Sequence, residues 1–428
     1  MHTRFAAAQR GCRNARCPTT IDAFPAALSH NATLIAQFDS TCHRPRSGTS
    51  ATIVPSVHRR QQIVEGPALN THFTLERFMK RFVKWIKWLV ALLVITLLAA
   101  TAYAVSTARH SENPVGFEVM QVQSPSGPLA VAVWYPTSGT PRPMTFVGGS
   151  LLTVARGGPM VGNALPLVMM SHGNGGSALS HVDLAMDLAS AGYVVAAPTH
   201  TGDNYADQSR QGSSELFSER AEQMRSTLDH LLNAWPGASH VDPTRIGAFG
   251  MSAGAFAVLT LAGGTPRMAA IAEHCSRTPE FICNALQHVQ SPLLKDDAGA
   301  GSFTADPRIK AAVIAAPGLG FTFADGGLDS VRVPVQLWSG DRDETVPFAS
   351  NTRVVQEGLG SRVEAHRIPG ATHLSFLAPC GLLKPPAVCG DPEGFDREAV
   401  HASMNAEVIR FFSARMPPSG APPSGHAP

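Results

Sequence analysis

From residue 165 onward the chain alternates short, continuous apolar runs with stretches of helical period, and that alternation restricts it to few architectures. The runs lie at 165–171, 193–197, 246–249, 311–316 and 333–339, with a strand-like stretch at 363–368, and most have no polar face, as strands buried on both sides of a sheet require. Helical periods lie at 180–190, 216–234, 253–261, 348–359 and 397–415. Strand alternating with helix predicts an α/β domain with a doubly wound, mostly parallel sheet. Two earlier runs, 115–122 and 129–135, joined through 124–127, read as an antiparallel hairpin at the sheet edge. Two segments break the alternation: the Gly/Pro-rich stretch 137–163 and an insertion at 266–306. Long insertions in compact domains tend to be functional. Phe281, Ile282, Leu293 and Leu294 suit the second to capping a pocket, with a surface decoration as the alternative. The tail 417–428, with Pro-Pro-Ser-Gly twice, is expected to be disordered.

The amino-terminal quarter has a different character. Its longest apolar run, 88–105, has 18 residues without a charge, follows Lys80, Arg81, Lys84 and Lys87, and ends in Ala102-Tyr103-Ala104. Basic flank, apolar stretch and small-x-small ending read as a signal peptide over 79–104, with an uncleaved membrane anchor as the alternative. Residues 1–78 hold nine Arg, no Lys, three Cys and four acidic residues. They read as an upstream segment outside the translated protein, or else as a disordered tail or transit peptide. One domain, 105–416, then remains.

Charge sharpens this division. The whole chain carries a net charge of +2, but removing 1–104 leaves 21 Lys plus Arg against 28 Asp plus Glu, a net of −7. An acidic domain argues against nucleic acid as a partner. No Leu-x-Gly-Cys pattern marks a lipid anchor, so membrane contact is expected only through the signal segment. The domain holds four of the seven cysteines, as two close pairs, Cys275 with Cys283 and Cys380 with Cys389. Local disulfides are expected, with cross-paired connectivities as alternatives, and they place the domain in an oxidising compartment, the periplasm or the exterior.

The chemistry-bearing residues fall at strand ends. Gly250-Met251-Ser252-Ala253-Gly254 follows a buried strand and opens a helix, the setting of a nucleophile elbow, with glycines where the turn is too tight for side chains. A serine hydroxyl needs a base to take its proton and an acid to hold that base. His373, after the run 363–368, is the expected base; His366 lies inside its strand. The acid is expected on Gly340-Asp341-Arg342-Asp343-Glu344, where Asp341, Asp343 and Glu344 share one turn. A tetrahedral intermediate also needs two backbone N–H donors. Ala253, directly after the serine, is one; Asn174, in the loop Ser171-His172-Gly173-Asn174-Gly175-Gly176, is the other. A phosphate cradle is the lesser reading of that loop, since it lacks a following Lys and the Gly-x-Gly-x-x-Gly spacing.

Together these segments resemble the α/β-hydrolase fold, in particular exported dienelactone-hydrolase-like proteins related to platelet-activating-factor acetylhydrolase. The resemblance spans residues 115–415. It implies a Ser-His-Asp hydrolase of carboxylic esters. The Gly-x-x-Asp-x-x-Val-Pro pattern selects Asp343 over Asp341, and the Ser-His-Gly-x-Gly loop supports Asn174. The implied substrate is a small-molecule or lipid ester, and no metal or organic cofactor is implied. Dienelactone hydrolases proper use Cys where this chain has Ser252, which favours ordinary esters over lactones. Polyester hydrolysis, peptidase activity and a silent binding protein of the same fold are the alternatives.

Overall fold

The computed structural model describes residues 71–106, 108–146, 150–295, 302–381 and 384–418. The expectations for residues 1–70 and 419–428 lie outside the described residues. Of a first compact unit, 1–75, only the start of a helix is described; residues 76–428 form a second unit.

Helix α1 (Thr71–Ser106) contains the whole expected signal segment. It begins eight residues before Met79, so 71–78 are helical rather than irregular. Its Glu76–Tyr103 portion is long and apolar enough to cross a membrane, and none of its apolar window is buried in protein.

Among the described residues the sheet has ten strands: β1 (Val115–Ser124), β2 (Gly127–Pro136), β3 (Arg142–Thr145), β4 (Leu151–Arg156), β5 (Leu165–Ser171), β6 (Val194–Thr199), β7 (Val241–Met251), β8 (Ile309–Ala315), β9 (Val335–Gly340) and β10 (Val363–Ile368). Their order is β10-β9-β8-β7-β5-β6-β2-β1-β4-β3. From β5 to β10 every pairing is parallel. The expected hairpin forms, β1 against β2, but it is not the edge. The stretch 137–163, read as an irregular excursion, folds into β3 and β4, and β4 pairs with β1 in parallel. The four residues of β3 take the edge position instead. Arg142-Pro143-Met144-Thr145 is too short and too Pro-bearing to announce itself as a strand, yet a short, Pro-containing strand is what a sheet edge tolerates.

Helices α2 (Val182–Ser190) and α9 (Arg397–Arg415) cover one face of the sheet; α3 (Leu216–Asn233), α4 (Ala253–Leu261) and α7 (Thr352–Leu359) cover the other. Helix α4 is buried at all nine positions. A helix apolar all round is held on every side, so its first turn, where the serine sits, is fixed by the core. The insertion folds as α5 (Ala270–Arg277) and α6 (Phe281–His288), with Leu286 and Leu293 joining the core cluster of the α4 face. Cys275–Cys283 and Cys380–Cys389 are both disulfide-bonded, the local pairing expected; the second closes over the short helix α8 (Pro386–Cys389).

Candidate active site

The strand order reverses direction around β5, which has β7 on one side and β6 on the other. Loops leaving the carboxyl ends of β5 and β7 diverge there and open a crevice. Ser252 and the loop 172–176 occupy that crevice.

Ser252 has φ 57° and ψ −119°, a conformation that L residues rarely adopt. Its N–H donates to Ala315 O at 2.9 Å and its carbonyl accepts from Gly318 N–H at 3.2 Å, bonds that hold the strained turn in place. The flanking glycines are obligatory. A Cβ on Gly250 would lie 2.2 Å from Gly254 O, and one on Gly254 would lie 2.0 Å from Ser171 O. The serine side chain does not cap its own helix; its Oγ lies 3.0 Å from His373 Nε2.

His373 opens a 3-10 turn, His373–Phe376, capped by Thr372. Its Nδ1–H donates to Asp343 Oδ2 at 2.8 Å, and both side chains are buried. The other Asp343 oxygen accepts the Val346 N–H at 2.8 Å, which fixes the carboxylate plane. The structure thus brings Ser252, His373 and Asp343 into one line of hydrogen bonds. Asp341 points elsewhere and accepts the Gly370 N–H at 2.6 Å, tying the β9 loop to the β10 loop. Glu344 is exposed. His366 stacks flat on Trp338.

The loop 172–175 is clamped from behind by residues that the sequence reading did not single out. Asp203 Oδ1 accepts from Asn174 Nδ2 at 2.6 Å and from Gly175 N–H at 3.0 Å. Arg220 binds the other Asp203 oxygen through Nε and Nη2, and also donates to the carbonyls of His172 and Gly173. The donors of this loop therefore hold a carboxylate of the same chain, which does not fit the phosphate-cradle reading. The backbone N–H groups of Asn174 and Ala253 have no acceptor among the described residues. Beneath the loop, burial and the nearby Arg220 charge push His172 down to about 3, so the ring is neutral. Its Nδ1–H donates to Gly173 O and its Nε2 accepts the His200 N–H. His200, also held neutral by burial, accepts from Ser171 Oγ–H and donates to Gln223 Oε1. Every polar atom in this layer has a partner, as a buried network must.

A third layer supports His373. Ser375 Oγ accepts the Thr372 N–H at 3.0 Å and donates to Asp391 Oδ1 at 2.9 Å. Arg397 grips Asp391 with two parallel bonds. His401 Nε2–H donates to Ser375 O while its Nδ1–H binds Asp183.

A cavity of about 410 Å³ adjoins Ser252 and His373. The insertion forms one wall of it with Phe281, Ile282, Ala285 and Leu286. Leu377 and Val388, on either side of Cys380, contribute to another. Such an enclosure is of the size and polarity of small-molecule sites. A hydroxyl whose proton can pass to an imidazole, itself held by a buried carboxylate, is equipped for nucleophilic attack on an acyl carbon. Among the described residues no cluster of His, Cys, Asp and Glu has the makings of a metal site.

Residues 158–316 match the family model of the dienelactone hydrolase family. Among solved structures, a ferulic acid esterase from Streptomyces cinnamoneus superposes with a TM-score of 0.50 at 21% identity, over 75% of this chain and 97% of that one. No curated protein matches the sequence significantly. With the sheet order, the elbow at Ser252 and this match in view, the chain has the α/β-hydrolase fold, and its residues 158–316 are similar to the dienelactone hydrolase family.

Proposed function

We propose that the chain is an exported serine esterase that hydrolyses carboxylic esters through an acyl-enzyme. The observation that carries this reading is the hydrogen-bonded line Ser252–His373–Asp343, opening on an apolar cavity. His373 Nε2 takes the Ser252 proton as Oγ attacks the ester carbonyl, and Asp343 stabilises the imidazolium that forms. The Asn174 and Ala253 N–H groups receive the oxyanion; a donor of this kind is worth about 3 kcal/mol of barrier. His373 then protonates the departing alcohol, and the same steps with water release the acid and restore Ser252. No cofactor takes part in these steps.

The esterase activity named for the structural neighbour agrees with this chemistry, though the fold alone is common to both. The Ser252 hydroxyl in place of a thiol favours ordinary esters over lactones, and phospholipid-like esters of the platelet-activating-factor acetylhydrolase kind fall within the reading. Export rests on the apolar segment within α1 and on the two disulfides, which suit the periplasm or the exterior. On this reading 105–416 is the working domain, and 79–104 is a signal or an anchor. The test is hydrolysis of p-nitrophenyl acetate together with labelling by a fluorophosphonate. Ser252→Ala is expected to abolish both, and full activity in that variant would refute the assignment.

A further inference from the structure

Among the described residues, the cavity beside Ser252 is lined by carboxylates and no cation. Apart from His373, the ionisable side chains among the described residues that line it are Asp203 and Glu280, with no Lys or Arg. These two differ in how their charge is met. Asp203 has the Arg220 guanidinium at 2.6 Å, with both side chains sealed from solvent. Glu280, immediately before α6, has no such match. Its oxygens accept from neutral donors, Ser350 Oγ–H and Asn351 Nδ2. His274 Nε2 stands 3.0 Å away without hydrogen-bond geometry.

The remaining walls are largely apolar, with Phe281, Ile282, Leu286, Leu319 and Val346 among them. An alkyl chain entering here leaves water for apolar surface, which is favourable roughly in proportion to the area buried. A chain ending in a carboxylate fares differently. It loses its hydration, finds no guanidinium or ammonium among the described lining residues to receive it, and meets the Glu280 carboxylate where solvent screens poorly.

Resting on the serine-esterase reading above, we infer that this cavity accepts neutral, apolar acyl groups and rejects acyl groups that carry a carboxylate, with Glu280 setting the discrimination. The acidity of the cavity wall is thus a specificity device at the site of reaction.

The experiment compares kcat/KM for p-nitrophenyl hexanoate with that for the mono-p-nitrophenyl ester of adipic acid, which has the same acyl length and a terminal carboxylate. Spontaneous hydrolysis is subtracted, and Ser252→Ala serves as the blank. The hexanoate is expected to be favoured at least tenfold. Glu280→Gln is expected to shrink that ratio at least threefold. Glu280 also binds Ser350 and Asn351, so Phe281→Lys, at a cavity position 57% exposed, provides a second variant that spares the buried contacts. It places a cation in the same wall and is expected to shrink the ratio likewise. A native ratio below tenfold, or one unmoved in the variants that fold, overturns the inference while leaving the esterase assignment intact. Hydrolysis undiminished in Ser252→Ala overturns the esterase assignment and this inference with it.

Discussion

Arg220 and Asp203 meet at 2.6 Å with neither side chain reaching solvent, and both are hydrogen-bonded to the loop that carries Asn174. Removing one partner strands a charge in the interior. Arg220→Met is therefore expected to cost about 3–5 kcal/mol of stability and to lower kcat more than it raises KM, because the loop loses its anchor. The double variant Arg220→Met/Asp203→Asn should recover part of the stability without recovering kcat. Denaturant titration and steady-state kinetics on all three proteins check this; additive losses would show that the pair does not act as a unit.

Asp343 and Asp341 lie two residues apart on one turn and do different things. Asp343→Asn should lower kcat by a factor on the order of 10⁴, since the imidazole loses the acceptor that fixes its tautomer. Asp341→Asn should change kcat by less than about threefold, its carboxylate serving only to tie two loops. Comparable losses in the two variants would contradict the assignment of the acid.

The two assignments also show what was legible in the sequence. Strand β5 and helix α4 fall where unbroken apolar runs put them, and β10 and α9 where strand-like and helical character do. Ser252 and His373 announce themselves by position at strand ends. Composition could not separate Asp341 from Asp343; the motif could, and the geometry shows the difference as one carboxylate turned inward and one outward. Arg220 and Asp203 were invisible for another reason. They sit 17 residues apart in elements whose packing brings them together, and an arginine in an amphipathic helix ordinarily faces water. The strand β3 was hidden because four residues with a proline carry almost no period.

Stability should fall on both sides of neutrality. Burial pushes His172 down to about 3 and His181 down to about 4, and it holds His200 low as well. In the unfolded chain these rings titrate near 6.5, so as pH falls below about 6.5 the unfolded state takes up protons first and stability is lost. His401 behaves in the opposite sense. Burial acts to lower it, but the charge of Asp183 and the hydrogen bond to it raise its pKa overall. Its contribution is complete below about 6.5 and is lost as pH rises through the raised value. Melting temperatures from pH 4.5 to 9 should pass through a maximum, and His401→Gln should flatten the alkaline side alone. A profile unchanged in that variant would remove His401 from the account.

The disulfide Cys380–Cys389 encloses Val388, whose carbonyl Arg397 binds while it grips Asp391, the acceptor for Ser375 Oγ–H. Cys380→Ser/Cys389→Ser should lower stability by about 2–3 kcal/mol, the chain-entropy value for so short a loop, and should also reduce kcat, because the support of the His373 turn is loosened. Cys275→Ser/Cys283→Ser should cost a similar stability but alter KM more than kcat, since its loop carries the cap. Identical kinetic effects of the two would contradict this division.

The cavity is bounded on two sides by small covalent rings, one holding Ile282 and the other Val388, while the reacting groups sit on loops rooted in the sheet. The wall that the Cys275–Cys283 ring shapes and the machinery that cleaves an ester thus have separate foundations, whereas the Cys380–Cys389 ring serves both. The Cys275–Cys283 ring can be lengthened, shortened or exchanged, and the outline of the accepted molecule redrawn, without disturbing the strand ends that aim Ser252 at its target.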